Sequence, residues 1–381
     1  MPETTPSGNN PQHSLLQLLG SFGQILQGHL FPVLEQELGP LSDRQQKLVR
    51  TLAMLQLDGF VAVRHGRGRP PHDRAAIARA FVAKAVFNFP TTRALLDRLH
   101  DDIVLRRLCG WEAVTEVPAE SAFSRAFAEF AASQFAERVH TALIERTQGW
   151  RLIGHISRDS TAIEGRQKPQ PKPQAVPVSG PPARYRKGSK KNKSPEQMTR
   201  LERQCSGTMT LEQMLAELPR TCDAGCKTNS SGHKDFWIGY KLHLDVADGQ
   251  IPISCVLTSA SLHDSQVAIP LAQMTARRVT SLYDLMDRGY ESLLIRQHSE
   301  QLGHVPLIDV QTRGGRIPPM APHQAARYRE RTTVERVYSR LKEEFGGESV
   351  RVRGWAKVMT HLMFGILALS VDQILRLTPS P

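Results

Sequence analysis

The sequence predicts an α/β protein in which a mixed sheet flanked by helices follows an all-helical N-terminal domain. Three observations carry that prediction. The hydrophobic period is helical up to about Trp150 and strand-like just after it. Two β-rich runs then flank Asp248-Gly249, a dipeptide that favours a tight hairpin. Beyond them strand-like and helix-like segments alternate, the order of an α/β sheet.

The first 14 residues are polar and Pro/Asn-rich and read as a disordered tail. From residue 15 to 149 apolar residues recur every three or four positions, as at Leu95, Leu96, Leu99 and Ile103, with no strand signal. Breaks fall at Gly39-Pro40, Arg64 to Asp73, Asn88 to Pro90 and Val117-Pro118. Ser121 or Ser124 can cap the helix carrying Phe123, Phe127 and Phe130. Arg64, Arg67 and Arg69 lie on a Gly-rich stretch, with the composition either of an arm that follows DNA or of a solvated loop.

The remainder, 150–381, reads as a second domain. Arg151 to Ile163 is a buried strand ending at Asp159 or just beyond. Phe236 to Val246 and Ile251 to Ala260 form the hairpin. A helix starts near Asp264 or Ser265 and runs to Arg278, Ser281 to Asp287 is a short strand, a helix begins at Glu291, and His304 to Val310 is the last strand. A basic, Pro/Lys-rich insertion at about 165–235 interrupts this order. Its segment Arg166 to Arg203 holds eleven Lys/Arg, two Glu and seven Pro, too little apolar surface for a core. It reads either as a phosphate-binding segment or as a solvated insertion without contacts.

Among 381 residues a net charge of +12 favours a polyanionic partner, with nucleic acid the first expectation. Five cysteines form no disulfide framework and fit a reducing, cytoplasmic setting. Cys222, Cys226 and His233 offer only three zinc ligands at an unusual spacing. No signal peptide opens the chain, and Leu362 to Val371 is too short an apolar stretch to span a bilayer, so a buried C-terminal helix and no membrane partner are expected.

The segment Arg327 to Gly346 has the sharpest pattern. Plotted as one α-helix, Tyr328, Arg331, Glu335 and Lys342 share a narrow stripe. Val334, Val337, Tyr338, Leu341 and Phe345 form a separate apolar face. By geometry alone a surface helix with an Arg331–Glu335 pair explains the stripe. However, the spacing Y-x2-R-x3-E-x6-K resembles the signature of DDE transposases of bacterial insertion sequences, members of the retroviral-integrase-like group. That family also has an Asp on its first core strand and another before a Gly-Tyr. Here those positions are matched by Asp159 in SRDST and Asp287 in LMDRGYES. The resemblance covers residues from about 150 to the C-terminus apart from the insertion, and more loosely the helical domain 15–149, which is expected to bind DNA. The short interval from Asp287 to Glu335 leaves no room for the β-rich insertion that some relatives carry there.

The resemblance implies an RNase H-like catalytic domain and a metal-dependent transposase that cleaves transposon ends and transfers the 3′-OH into target DNA. Asp159, Asp287 and Glu335 would be the catalytic and metal-binding residues, holding two Mg²⁺ ions, with Mn²⁺ as a substitute. Tyr328, Arg331 and Lys342 would bind DNA. The implied partners are double-stranded DNA, as transposon ends and target, and further copies of the chain in a homodimer or larger assembly. Two alternatives remain at this stage, a metal-dependent endonuclease without strand transfer and a non-catalytic transposase-derived DNA-binding protein. Asp284 competes with Asp287, although a period of two turns it to the opposite face. Asp264 is expected to cap a helix, with His263 able to face substrate. Trp237 and Trp355 can stack on bases or pack in the core.

Overall fold

The computed structural model describes residues 36, 38–61, 71–169, 198–228, 232–309 and 320–378. Arg64, Arg67 and Arg69, the tail 1–14 and residues 170–197 and 229–231 of the basic insertion lie outside these residues. Contacts divide the chain into two compact units, one comprising residues up to Val139 together with those from Phe364 onward, the other His140–Met363.

The described part of the first unit is helical. It contains α1 (Asp43–Leu55), α2 (Arg74–Val86), α3 (Thr92–Asp101), α4 (Ile103–Cys109), α5 (Glu120–Ala132) and the start of α6 (Phe135–Gln148). The expected breaks are served by local chemistry. Asn88 adopts a left-handed conformation after α2, and Asp73, Thr91 and Asp102 accept helix N–H groups at the starts of α2, α3 and α4. Neither Ser121 nor Ser124 caps α5. The N-cap is Ala119, and both serines lie inside the helix, because it starts within two residues of Pro118. Phe81, Phe123, Phe127, Phe130, Phe135 and Phe364 interlock with ring centroids between 4.8 and 6.4 Å apart. Lys47 and Asp372 pair at 2.7 Å.

The second unit is built on a six-stranded mixed sheet, ordered β2-β3-β1-β5-β6 with β4 also paired to β3. The strands are β1 (Leu152–Glu164), β2 (Asp223–Thr228), β3 (Lys234–Ala247), β4 (Ile251–Ser259), β5 (Thr280–Met286) and β6 (Val305–Ile308). Short helices α7 (Arg200–Cys205) and α8 (Leu211–Ala216) precede β2. Helices α9 (Ala268–Ala276) and α10 (Leu293–Gln301) connect the later strands. Antiparallel β1–β3 and β3–β4 pairs join parallel β1–β5 and β5–β6 pairs, the mixed pattern expected. The β3–β4 turn uses Gly249 at φ 82° and Gln250 at φ 63°. Gly249 supplies the positive φ without a Cβ penalty. Its neighbour Asp248 accepts the Gly154 N–H at 2.7 Å and pairs with Arg151.

Several expected boundaries move. β1 continues five residues past Asp159, because β3 goes on pairing with Ser160 through Glu164. β2 was not foreseen, since DAGCKT has little strand character and sits beside the basic insertion. The pattern segment is not one helix either. α11 (Pro322–Tyr328) passes into a 3₁₀ stretch, Arg329–Thr332, before α12 (Thr333–Glu344) begins. Within that stretch the Glu330 carbonyl accepts from Ser157 Oγ at 3.1 Å, tying the backbone to β1. The stripe drawn on a uniform helix therefore fails as geometry, although the apolar face of α12 is buried as expected through Val334, Val337, Tyr338 and Leu341.

The last helix, α13 (Trp355–Leu377), is longer than the apolar stretch the sequence marks and is long and apolar enough to cross a membrane. That apolar window is 89% buried inside the protein, so core packing accounts for its composition.

Candidate active site

The site forms where β1 outlasts its parallel neighbour. Register pairs Ser157 with Leu285 and Arg158 with Met286, and β5 then ends. The next residues are Asp159, still on β1, and Asp287, just past the end of β5, and Asp159 feels the Asp287 charge. Asp287 caps the turn that follows, its Oδ1 accepting the Gly289 N–H at 2.8 Å. A Cβ at Gly289 would stand 3.0 Å from that same oxygen, so glycine permits the close approach.

Burial pushes the Asp159 carboxyl up to about 6, and the Asp287 charge adds to the rise. Asp287 is raised as well, by burial first and then by Asp264, against the Gly289 hydrogen bond and the Arg331 and Lys227 charges. Two adjacent acids thus sit where the protein supplies less positive charge than they need.

From the helical side, Tyr338 on α12 fixes Asp159 through its backbone. The hydroxyl donates to the Asp159 carbonyl at 2.6 Å and accepts from Leu244 N at 3.1 Å. Arg331 links the helical and sheet sides. It bonds Glu335 Oε1 at 3.0 Å, and the Glu335 charge, followed by Tyr328, Asp159 and Asp287, outweighs burial to hold its guanidinium in the charged form. Tyr328 donates to the Met286 carbonyl at 3.2 Å, one residue before Asp287. Asp159, Asp287, Tyr328, Arg331 and Glu335 are therefore brought into one neighbourhood. Glu335 remains half exposed and engaged with Arg331. Among the described residues no three His, Cys, Asp or Glu side chains close to metal-holding distance, so Glu335 does not complete a cage with the two aspartates. Lys342 stands further along α12, with Glu348, Lys227 and Glu164 as its charged neighbours.

Asp284 faces the other way. It is fully buried with His304 Nδ1 at 3.2 Å and Arg158 Nη2 at 4.0 Å. Despite burial, the His304 hydrogen bond and the Arg158 charge hold it below the usual carboxylate range. Arg158 itself grips Asp245 through two 2.7 Å bonds. The network Arg158–Asp245–Asp284–His304 locks the sheet beneath the site.

A family model described as a transposase DDE domain matches residues 215–371, and one described as a transposase domain (DUF772) matches residues 36–129. The chain thus carries two transposase domains, a pairing typical of bacterial insertion-sequence transposases. No match was found among curated proteins or solved structures. The two family matches give the transposase its fold, a helical N-terminal region followed by an RNase H-like mixed sheet flanked by helices. Asp287, Glu335 and the Tyr-Arg-Glu-Lys residues fall inside the DDE match. Asp159 lies before it, across the insertion, so the strand register brings it to the site.

Near the carboxylates of the transposase, the sequence reading missed Lys227 and gave Asp264 and Tyr290 other roles. Lys227, on the unforeseen β2, adds positive charge near Asp159, Asp287 and Lys342. Its signal was lost among the other cations of the insertion. Asp264 does not cap its 3₁₀ turn. The Nδ1 of His263 takes that place, bonding Ser265, while Asp264 pairs with Lys241 at 3.0 Å. Tyr290 was read only as part of a Gly-Tyr motif, yet it is buried, and burial, together with the Asp264 and Asp159 charges, raises its phenol.

The remaining candidates have structural partners. Trp237 Nε1 donates to the Tyr240 carbonyl at 3.0 Å. Trp355 donates to Leu257 at 2.7 Å and carries Arg220 4.3 Å above its ring, so that face is covered rather than open for a base. Cys222 is buried and Cys226 exposed, and with His233 they form no metal cluster among the described residues.

Proposed function

We propose that this transposase cuts DNA at transposon ends and joins the freed 3′-OH to target DNA, with Asp159, Asp287 and Glu335 as the carboxylates that hold two divalent metal ions. The observation that carries the reading is the parallel register that ends at Arg158 and Met286, the residues just before Asp159 and Asp287, with both carboxyls raised by burial and both charges felt by Arg331, which bonds Glu335. DDE transposases generally use a divalent metal. The donors here suit Mg²⁺ or Mn²⁺, being hard carboxylate oxygens from a strand, a strand end and a helix. A bound pair of such ions supplies an activated oxygen nucleophile and charge relief at the leaving oxygen.

The chain's own residues do the positioning. Tyr338 holds the Asp159 backbone, and the Gly289 N–H orients the Asp287 carboxylate. Arg331 bonds Glu335 and feels the charges of Asp159 and Asp287. With Arg331 turned from Glu335 to a DNA phosphate, Glu335 would be the third carboxylate available to hold the cation. Tyr328, Arg331 and Lys342 are the proposed DNA-binding residues, and a homodimer or larger assembly on two ends is the proposed active form.

The test is incubation of the purified protein with end-labelled transposon-terminus DNA, a target plasmid and Mg²⁺. Joined products that vanish with Asp159→Asn, Asp287→Asn or Glu335→Gln support the reading. Cleavage without joining would reduce the protein to an endonuclease, and wild-type cleavage by Asp159→Asn would overturn the site.

A further inference from the structure

Beyond Asp159, β1 continues to Glu164, and the chain then meets two other segments at Gln167. Gln167 Oε1 accepts the Gly354 N–H at 2.8 Å, its Nε2 donates to the Tyr240 hydroxyl at 3.0 Å, and its carbonyl accepts from Cys222 Sγ at 3.5 Å. Next to Gly354, the Trp355 ring carries the Arg220 guanidinium 4.3 Å from its centroid. Three stretches far apart in sequence, 166–168, 220–222 and 351–355, are thereby fastened together.

Each stretch brings exposed cations, namely Arg166 and Lys168, Arg220, and Arg351 and Arg353. None of the five has an ion-pair partner among the described residues. Elsewhere in the same unit exposed arginines are matched with acids, Arg277 with Glu212 at 2.9 Å and Arg288 with Asp309 at 3.1 Å. Glu217, three residues before Arg220, is engaged by Arg203 at 2.9 Å. Uncompensated like charges repel, so such a cluster draws counterions, and a polyanion that displaces them gains the entropy of their release.

Arg166 is seven residues past Asp159, five of them within β1, which puts the cluster roughly 20 Å from the carboxylates at strand spacing. That reach matches about six base pairs of a duplex. Lys342, a proposed DNA contact, feels the charge of Glu164 at the end of β1. The transposon end is cut before it is joined, so it is the first duplex to occupy this path.

Resting on the DNA-cleavage reading above, we propose that Arg166, Lys168, Arg220, Arg351 and Arg353 form a second phosphate-binding surface, which holds the backbone of the transposon-end duplex about half a helical turn from the phosphodiester being cut. The surface offers charge rather than base-edge partners, so it anchors the duplex without reading its sequence. Gln167 is the positioning residue that gathers the three stretches.

The test measures binding of the full-length protein, without metal, to a labelled duplex carrying the transposon end and its flank, by fluorescence anisotropy over a range of salt. Arg166→Gln, Arg351→Gln and Arg353→Gln each remove an exposed charge, and each should lower the slope of log K against log salt by about 0.9. Arg277→Gln, a cation already paired with Glu212, should leave it unchanged. Methylphosphonates placed about six base pairs from the cut should weaken binding by the wild-type protein but not by an Arg351→Gln/Arg353→Gln double variant. With Mg²⁺ and saturating DNA the variants should cut at the wild-type rate. Wild-type slopes in all three variants, or an equal drop in Arg277→Gln, would overturn the surface, as would a defect confined to capture of a target plasmid. Failure of the wild-type protein to cut the end duplex would defeat the underlying reading, whereas cutting with unaltered variant slopes would remove this surface alone.

Discussion

Asp159 shows what the site costs. Its carboxyl titrates at about 6 in the folded protein against 3.8 for an unburied aspartate. Below pH 3.8 both forms are protonated and there is no penalty. As pH rises from 3.8 to 6 the folded state holds its proton longer than the unfolded chain, so stability falls and the full penalty is present above pH 6. Two pKa units correspond to on the order of 3 kcal/mol. Asp159→Asn should accordingly raise the melting temperature of the metal-free protein at pH 7.5 and flatten its decline between pH 4 and 6.5. An unchanged profile would show that the acid is not buried as described. Glu335 and Arg331 permit a second test. Glu335→Gln removes a carboxylate while keeping size, so DNA binding should persist and Mg²⁺-dependent cleavage fall on the order of a thousandfold. Lys342→Ala should weaken end binding and lower the salt slope by about one unit. Arg331→Ala should do the same and also reduce cleavage, because Arg331 is placed against Glu335 and both aspartates. Equal cleavage by the Arg331 and Lys342 variants at saturating DNA would separate Arg331 from the chemistry. The residue types were legible from Y-x2-R-x3-E-x6-K. That Arg331 faces three acids while Lys342 stands among Lys227, Glu348 and Glu164 was not, because the 3₁₀ stretch between Tyr328 and Thr333 changes the angles a uniform helix assumes.

Among the elements, the contact of α12 with the β1–β3 ladder matters most for the site. Tyr338→Phe leaves the Asp159 carbonyl and the Leu244 N–H without their shared hydroxyl, at a cost of about 1–3 kcal/mol. The Asp159 side chain should lose its fixed position along with the stability. A variant that melts lower yet cleaves at the wild-type rate would show that this backbone clamp is not needed for catalysis. Below the sheet, Arg158→Met strands Asp245 and Asp284 as buried charges, so it should destabilise the protein by about 3–5 kcal/mol, measured by urea unfolding at pH 7.5. A small loss would mean the network is hydrated. Element types were readable because period and turn chemistry are local, as Asp248-Gly249 illustrates. Where elements end was not. β1 runs through Glu164 because β3 offers it a partner, and β2 exists because the far end of β3 does the same for a weakly strand-forming hexapeptide.

For the whole molecule, seven cations at Lys172, Arg184, Arg186, Lys187, Lys190, Lys191 and Lys193 lie in the insertion. Replacing all seven with Gln keeps the length and should flatten the dependence of log K on log salt for non-specific DNA, by about 0.9 for each phosphate contact removed. An identical slope would make the segment a spacer. The sequence by itself determined the mixed α/β order, the basic charge and the four-residue pattern on Arg327 to Gly346. Each of these is written in local period, composition or spacing, which neighbouring residues fix without reference to the rest of the chain. Only the tertiary structure decided that Asp287 rather than Asp284 stands beside Asp159, since that choice rests on the parallel register of strands far apart in sequence. Tertiary structure also turned Asp264 from a helix cap into a neighbour of the aspartate pair, because Lys241 and Ser160 on two other strands reach it before its own turn can. A carboxylate takes the partner that satisfies its charge best, and in this protein those partners are supplied by strand pairing rather than by adjacent sequence.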